Sequence, residues 1–455
     1  MIPTPKSSPS AATFKHLVAV PELWEIIAQS LAPTDLLHLS AVSRAFNAIT
    51  EKHLYRKITW TWNHSKPDAS TAIQQLLLNL LHRPELALHV HEFSVQETGY
   101  GPKPRVRHAE SNSLRDANVA MSNLIHEAGL SPSEDWIKRL YDLEVETIVA
   151  LIILQLRNVE MLVIDMFHRD DGYGSPTPNF SPIGDVLRLA CEPHSMKRAT
   201  RFERLQVFSW PSREFDCHTD LIRRGEVLDM LPIFRAPRLR EVALKLSCPE
   251  RPLDAAMPTV SPSDSLTSLT LRYTTVAESF LKQLLSQMKN LEFFRLDLYR
   301  SSEAHFFDGQ SISQGLMPCR KVLRHLTVHW EPCDDYIEVD VPSSTPLGSL
   351  KEFSALESID ATSGAVIDDD LTLGDVLPLT LKVLMLREGL DDINVSWDEG
   401  LNSALEEFVD LSPVPTPCLT ELRIGVWELL GERAEHDLKE RFRQSHGVEV
   451  SFFEL

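Results

Sequence analysis

Glycine is scarce in this chain, at 17 residues in 455. Loops that cradle phosphates need glycine at fixed spacing, and neither G-x-x-x-x-G-K-[ST] nor G-x-G-x-x-G occurs. The nucleophile elbow G-x-S-x-G and the zinc-protease helix H-E-x-x-H are absent too. The six cysteines, Cys191, Cys217, Cys248, Cys319, Cys333 and Cys418, include no C-x-x-C pair. That excludes the usual zinc and redox spacings and implies reduced thiols, as in the cytoplasm or nucleus. Long apolar runs are lacking as well. The longest, IVALIILQL at residues 148–156, is about half of what a bilayer span needs. Cations are outnumbered, 45 Lys and Arg against 65 Asp and Glu, for a net charge of −20. Phosphate neutralisation draws on Lys and Arg, so nucleic acid is not an expected partner. Neither is a membrane. The polar, Pro- and Ser-rich start, residues 1–13, reads as a disordered tail with no signal peptide.

The ordered chain begins at residue 14 with a segment that contains HLVAVPELWEIIAQSLAPTDLLHLSAVSRAFNAITEKHLYRKITW. Pro21 suits a helix start, and Leu23, Ile26, Ile27 and Leu31 recur at helical spacing. Pro33 is expected to break that helix. Thr34 or Asp35 can cap a second helix with Leu36, Leu37 and Leu39, and Ser40 a third with Val42, Phe46 and Ile49.

This string resembles the F-box. The matching residues are Val20-Pro21-Glu22-Leu23, Ile26 or Ile27, Leu31, Asp35-Leu36-Leu37, Leu39, Val42-Ser43-Arg44 and Leu54-Tyr55-Arg56. The match covers about a tenth of the chain. Val20 stands where Leu is commoner, and Trp24 is a bulky variant. The next segment, a Leu-rich helix from Ala72, then RPEL and a strand at 89–95, is similar to the region after the F-box in many filamentous-fungal members. The resemblance implies that Val20, Pro21, Leu23, Ile26, Leu36, Leu37, Leu39 and Val42 build or face a surface for a Skp-type adaptor. Through that adaptor the chain would reach a cullin scaffold.

Polar loops are expected at 97–113, 170–182 and 248–263, with amphipathic helices near 114–128 and 134–156. From Val159 a pattern L-x-x-L-x-L recurs. It reads Val159/Leu162/Ile164, Leu205/Phe208/Trp210, Leu239/Val242/Leu244, Leu266/Leu269/Leu271, Leu291/Phe294/Leu296, Leu323/Leu326/Val328, Leu381/Leu384/Leu386 and Leu419/Leu422/Ile424. Leu350/Phe353 and Leu405/Phe408 are weaker copies. Such periods resemble leucine-rich repeats, in which short strands bury their Leu side chains under returning helices. Residues 278–289 and 225–234 fit such helices. Consensus ladder asparagines are largely missing, so the repeats are irregular. The expected fold is α/β: a small all-helical F-box module at 14–60, a helical connecting region at 61–158, and an irregular leucine-rich-repeat solenoid at 159–455. That solenoid would be a curved parallel sheet with returning helices.

Side chains alternate along a strand, so the residues between and after the last two apolar positions share the outward, concave face. These are Lys245, Arg272, Arg295, His329, Arg387 and Arg423, with Asp297 as the one acid. They would form a basic stripe suited to an acidic or phosphorylated target, because arginine forks match carboxylate and phosphate. His325, His329 and Cys333 have the residue types of a metal site, but exposed strand residues explain them more simply. The runs Asp334-Asp335, Asp368-Asp369-Asp370 and Asp391-Asp392 lack a calcium loop's glycine and terminal Glu, and read as solvated turns. Trp60 and Trp62 alternate at strand spacing and are expected to cover the joint after the F-box. The expectation is a substrate-recognition subunit of a cullin–RING (SCF-type) ubiquitin ligase, with no catalytic residues, metal or cofactor. The alternatives are an F-box and leucine-rich-repeat interaction scaffold outside a ligase, and a hydrolase with an unrecognised site.

Overall fold

The computed structural model describes residues 21–63, 69–98, 112–131, 133–141, 144–165, 181–191, 201–210, 230–246, 262–274, 278–300, 308–332, 345–367, 371–388, 399–411, 415–426 and 432–454. The chain divides into two compact units. One comprises Met1–Leu162 with His194–Arg204, the other Val163–Pro193 with Leu205–Leu455.

The first unit opens with three helices, α1 (Pro21–Gln29), α2 (Pro33–Val42) and α3 (Arg44–Arg56). Two start signals differ from expectation. Pro33 does not merely break α1; it opens α2, with Ala32 before it and no side-chain cap. Its fixed φ and missing N–H suit a first helical position. The cap of α3 is Ser43, whose hydroxyl accepts from the Phe46 N–H at 3.2 Å. Ser40 instead lies inside α2 and donates to the Leu37 carbonyl at 2.6 Å.

The first unit also contains a parallel strand pair. Strand β1 (Lys57–Asn63) comes directly after α3 and pairs in parallel with β2 (Glu92–Thr98), from Lys57↔Glu92 to Asn63↔Thr98. Trp60 on β1 is buried; the Trp62 side chain lies outside the described residues. Helix α4 (Ala69–His82) makes the crossover between them. The β2 strand starts after residue 89, because Pro84 opens a tight helical turn, Pro84–His89. Helices α5 (Asn112–Ala128), α6 (Ser133–Tyr141) and α7 (Val145–Ile153) come next. The single helix expected at 134–156 is therefore two. The apolar run at 148–156 belongs to a core: α7 buries every residue but Glu146.

Strand β3 (Met161–Asp165) lies across the division. The second unit holds α8 (Pro182–Cys191), β4 (Val207–Trp210), β5 (Glu241–Lys245), β6 (Ser268–Thr274), α9 (Glu278–Leu285) and β7 (Phe293–Arg300). It continues with α10 (Gly309–Leu316), β8 (His325–Pro332), β9 (Ser358–Thr362), β10 (Val383–Arg387), α11 (Glu399–Asp410), β11 (Glu421–Val426), α12 (Glu432–His446) and β12 (Glu449–Glu454). From β4 to β12, chain neighbours are sheet neighbours and every described pairing is parallel. The fold class is α/β, a parallel sheet built repeat by repeat. Leu269, Phe294, Leu296, Leu326, Val328, Ile359, Leu384 and Leu386 form a continuous apolar spine, each at most 1% exposed.

One backbone device recurs along the repeats whose motifs start at Leu205 to Leu381. In these, the residue after the first Leu offers its carbonyl to two N–H groups of the next repeat. Arg240 and Glu241 donate to the Gln206 carbonyl at 2.8 and 3.0 Å, and Thr267 and Ser268 to that of Arg240, both at 2.9 Å. Glu292 and Phe293 donate to Thr267, Arg324 and His325 to Glu292, and Glu357 and Ser358 to Arg324. Lys382 and Val383 donate to Glu357, then Thr420 and Glu421 to Lys382. This ladder needs no particular side chain, which accounts for the missing asparagines.

The ladder also corrects the weaker copies. Leu350 and Phe353 precede a turn; the strand is β9, with Leu356, Ile359 and Ala361 as its motif. Leu405 and Phe408 lie on α11, where a spacing of three marks a helix face. The helix expected at 225–234 is described only as a tight turn, Leu231–Arg235. Strand β12 is an addition without a counterpart in the motif count. The tail at 1–13, Cys333 and the acidic runs at 334–335, 368–370 and 391–392 lie outside the described residues.

Candidate interaction surfaces

The helical module packs around a small core of Ala28, Leu36, Phe46 and Thr50. Trp24 meets Phe46 edge-on, ring centroids 4.6 Å apart, and Lys52 pairs with Glu25 across α1 and α3. Much of α1 and α2 stays open. Leu23, Ile26, Ile27, Leu37 and Val42 are each 44–62% exposed, half of the ten exposed large apolar side chains among the described residues. Concentration on about twenty residues sets them apart from the scattered apolar exposure of ordinary surfaces. Of the residues read from the F-box pattern, Leu36 is core, Leu39 is half-buried, and Pro21 supplies the start of α1. Val20 lies outside the described residues.

An arginine ties this module to the next stretch of chain. Arg83, at the end of α4, donates from both terminal nitrogens to Glu51 on α3 at 2.5 and 2.7 Å. Its Nε donates to Glu85 at 2.9 Å. These carboxylates raise the Arg83 pKa further above its already basic value, with the Glu51 bonds the larger cause. Nearby, the Nδ1 of His91 lies 3.0 Å from a Glu160 carboxylate oxygen.

The second surface is the outward face of β5–β11. Register places Lys245 beside Arg272, Asp297 beside His329, Thr327 beside Asp360, and Met385 beside both Asp360 and Arg423. The six basic positions therefore share one face. They do not form a plain basic stripe, because carboxylates interleave with them. Arg295 Nε donates to both oxygens of Asp297 at 3.0 and 2.9 Å. His329 lies between two acids, its Nδ1 3.2 Å from Asp297 and its Nε2 2.9 Å from Asp360. Arg387 grips Asp360 with Nε and Nη2 at 2.8 and 3.0 Å and lies over the Phe453 ring. Arg423 Nε donates to Glu421 at 2.6 Å.

The electrostatics come from this geometry. Burial alone would raise Asp360, but His329 and Arg387 outweigh it and hold the carboxyl at about 2. Asp297 is lowered in the same way, burial opposing and His329 with Arg295 prevailing. Burial pushes His329 down; hydrogen bonds to Asp297 and Asp360 outweigh it and raise it above its ordinary value. Both ring nitrogens face carboxylate oxygens, which only an imidazolium satisfies as a double donor. The reading of His329 as an exposed strand residue is thus corrected: it is 7% exposed, while His325 on the same face is exposed.

Asp360 is the residue that sequence reasoning missed. It occupies the position between the last two apolar residues of β9, the same position as Arg295 and Arg423. Among the described residues, no group of three or more His, Cys, Asp or Glu side chains could hold a metal ion, and no helix is long and apolar enough to cross a membrane. No family model matches the chain, and no curated protein matches it in sequence. A solved structure of a yeast complex of Rad7 and Elc1 is similar at 16% identity. The match covers 96% of this chain and 91% of that one, at a TM-score of 0.35, too loose a likeness to carry an argument.

Proposed function

We propose that this chain is a non-catalytic adaptor subunit of a ubiquitin ligase. In this reading α1–α3 are an F-box that docks a Skp-type adaptor, which joins it to a cullin, and the parallel-sheet body holds the target protein. Ubiquitin transfer is then promoted by proximity, with the chemistry elsewhere in the complex. The observation that carries the reading is the open apolar surface of Leu23, Ile26, Ile27, Leu37 and Val42 on the segment that resembles the F-box. Covering the half-exposed area of five such side chains would contribute roughly 4–8 kcal/mol gross, enough to offset a good part of the cost of association.

The test uses exposed residues. Leu36 is core, and a deletion through residue 58 would also remove the start of β1. Leu23→Asp with Leu37→Asp should abolish capture of the adaptor and cullin from a lysate while leaving the circular dichroism spectrum and melting temperature near wild type. Undiminished capture by the double variant sinks the reading. Adaptor capture with no cullin leaves the adaptor contact and removes the ligase.

A further inference from the structure

Among the described residues, the basic side chains of Arg295, His329, Arg387 and Arg423 on the outward face of the sheet have carboxylates against them. Arg295 has Asp297, His329 has Asp297 and Asp360, Arg387 has Asp360, and Arg423 has Glu421. Arg272 is different. It has no hydrogen bond or ion pair among the described residues, and its Nε is shielded from water with no partner. A shielded guanidinium N–H without an acceptor is costly, and native structures rarely leave one unless something else meets it.

The surroundings of Arg272 add two observations. First, it pairs in register with Lys245 of β5, so a second cation stands one strand away on the same face, its side chain almost wholly buried. The next outward carboxylate along the sheet, Asp297 of β7, is already engaged by Arg295 and His329. Second, the pairing of β6 with β7 slips between Leu271 and Thr274, so the extra residue of a bulge falls at Arg272 or Tyr273. Bulges re-aim side chains and recur beside functional sites. On β8–β10 the ladder is regular and the charges are matched. At β6 the ladder slips and the Arg272 guanidinium is not matched.

We propose that Arg272 is an oxyanion-binding site that receives an acidic side chain of the target, either a carboxylate or a phosphate. The guanidinium fork offers the paired donors that both groups accept. The four carboxylate-paired positions are lattice rather than receptor, since a ligand anion there would compete with a carboxylate already in place. The role of this anion site in target capture rests on the adaptor reading; the binding of an anion does not.

The experiment tracks thermal unfolding of the purified full-length chain at pH 7.5 in chloride, acetate or inorganic phosphate at matched ionic strength. A ligand that binds the native state raises the melting temperature saturably. Phosphate at millimolar concentration should raise it above the chloride value. Arg272→Gln should lose that increment, and Arg423→Gln, which removes a paired arginine, should keep it. A rise with phosphate alone assigns a phosphorylated side chain; an equal rise with acetate assigns Asp or Glu. Should Arg272→Gln fail to fold, Arg272→Lys keeps the charge without the fork and should weaken half-saturation at least fivefold. No increment over chloride in the wild type, or an undiminished one in the Arg272 variant that folds, overturns the proposal. Neither result touches adaptor capture, so the two readings fail separately.

Discussion

The charge lattice of β7–β10 makes its sharpest prediction at Asp360. Asp360→Asn keeps the shape of the side chain and removes its charge, leaving Arg387 and His329 against a neutral amide. The magnitude comes from the carboxyl's own titration. It is held at about 2 against an ordinary 3.8. At about 1.4 kcal/mol per pH unit, that displacement corresponds to about 2.5 kcal/mol of stability near neutral pH. The sign comes from linkage. A lowered carboxyl contributes its stability above pH 3.8 and loses it as pH falls toward 2. His329 is raised, so its contribution is complete below about 6.5 and fades as pH climbs through its folded value. The lattice is therefore strongest between about pH 4 and 6.5. Urea midpoints of the wild type and Asp360→Asn, measured across the acid and neutral range, read both limbs. The variant should lose about 2–3 kcal/mol at about pH 5–6 and show a shallower acid limb. Equal midpoints within that window, or acid limbs of identical slope, would refute a lattice held together by Asp360.

Three further outcomes are expected. His329→Gln should destabilise the body most below about pH 6.5, with the deficit shrinking as pH rises; a deficit independent of pH in the urea midpoints removes the imidazolium from the account. Leu269→Asp, at a position with no exposure in the shared spine, should cost about 4 kcal/mol or more and strip hydrogen-exchange protection from β5 and β7 as well as β6. Loss confined to β6 would mean that the repeats stand independently. Cys319 is buried, which pushes its thiol up to about 12, whereas Cys418 is exposed. In native protein a maleimide should therefore label Cys418 within minutes and Cys319 only after denaturant, as peptide mapping would read.

How much of this was legible in the sequence depended on the range of the signal. The repeat strands are visible because Leu269, Leu271, Phe294 and Leu296 keep a local spacing that one strand imposes on itself. Where a weak residue falls on the pattern, the pattern fails: Ala361 stands in place of a Leu, which hides β9 and Asp360 with it. Leu405 and Phe408 mislead in the other direction, because a spacing of three is shared by the repeat motif and by a helix face. The helix starts fail for a similar reason, since Ser40 and Ser43 are equally good caps on paper and only packing chooses between them. The charge pairing is beyond local reasoning altogether. His329 and Arg387 reach Asp360 from 31 and 27 residues away, across a register that no single strand encodes.

The backbone ladder explains why such irregular repeats can still place charges with this accuracy. Each repeat is keyed to the next by one carbonyl and two N–H groups, from Gln206 through Lys382, so the chain between keys can vary in length without shifting the next strand. Register is then fixed by the backbone and by the inward Leu and Phe side chains, and the outward positions are released from structural duty. Partly buried ion pairs are weak evidence of stability, because desolvation offsets most of their attraction. An outward row of Met and Leu would hold the sheet about as well. The charges matched at Asp297 and Asp360 therefore order the face itself, and the unmatched Arg272 is the one that points to what the face meets.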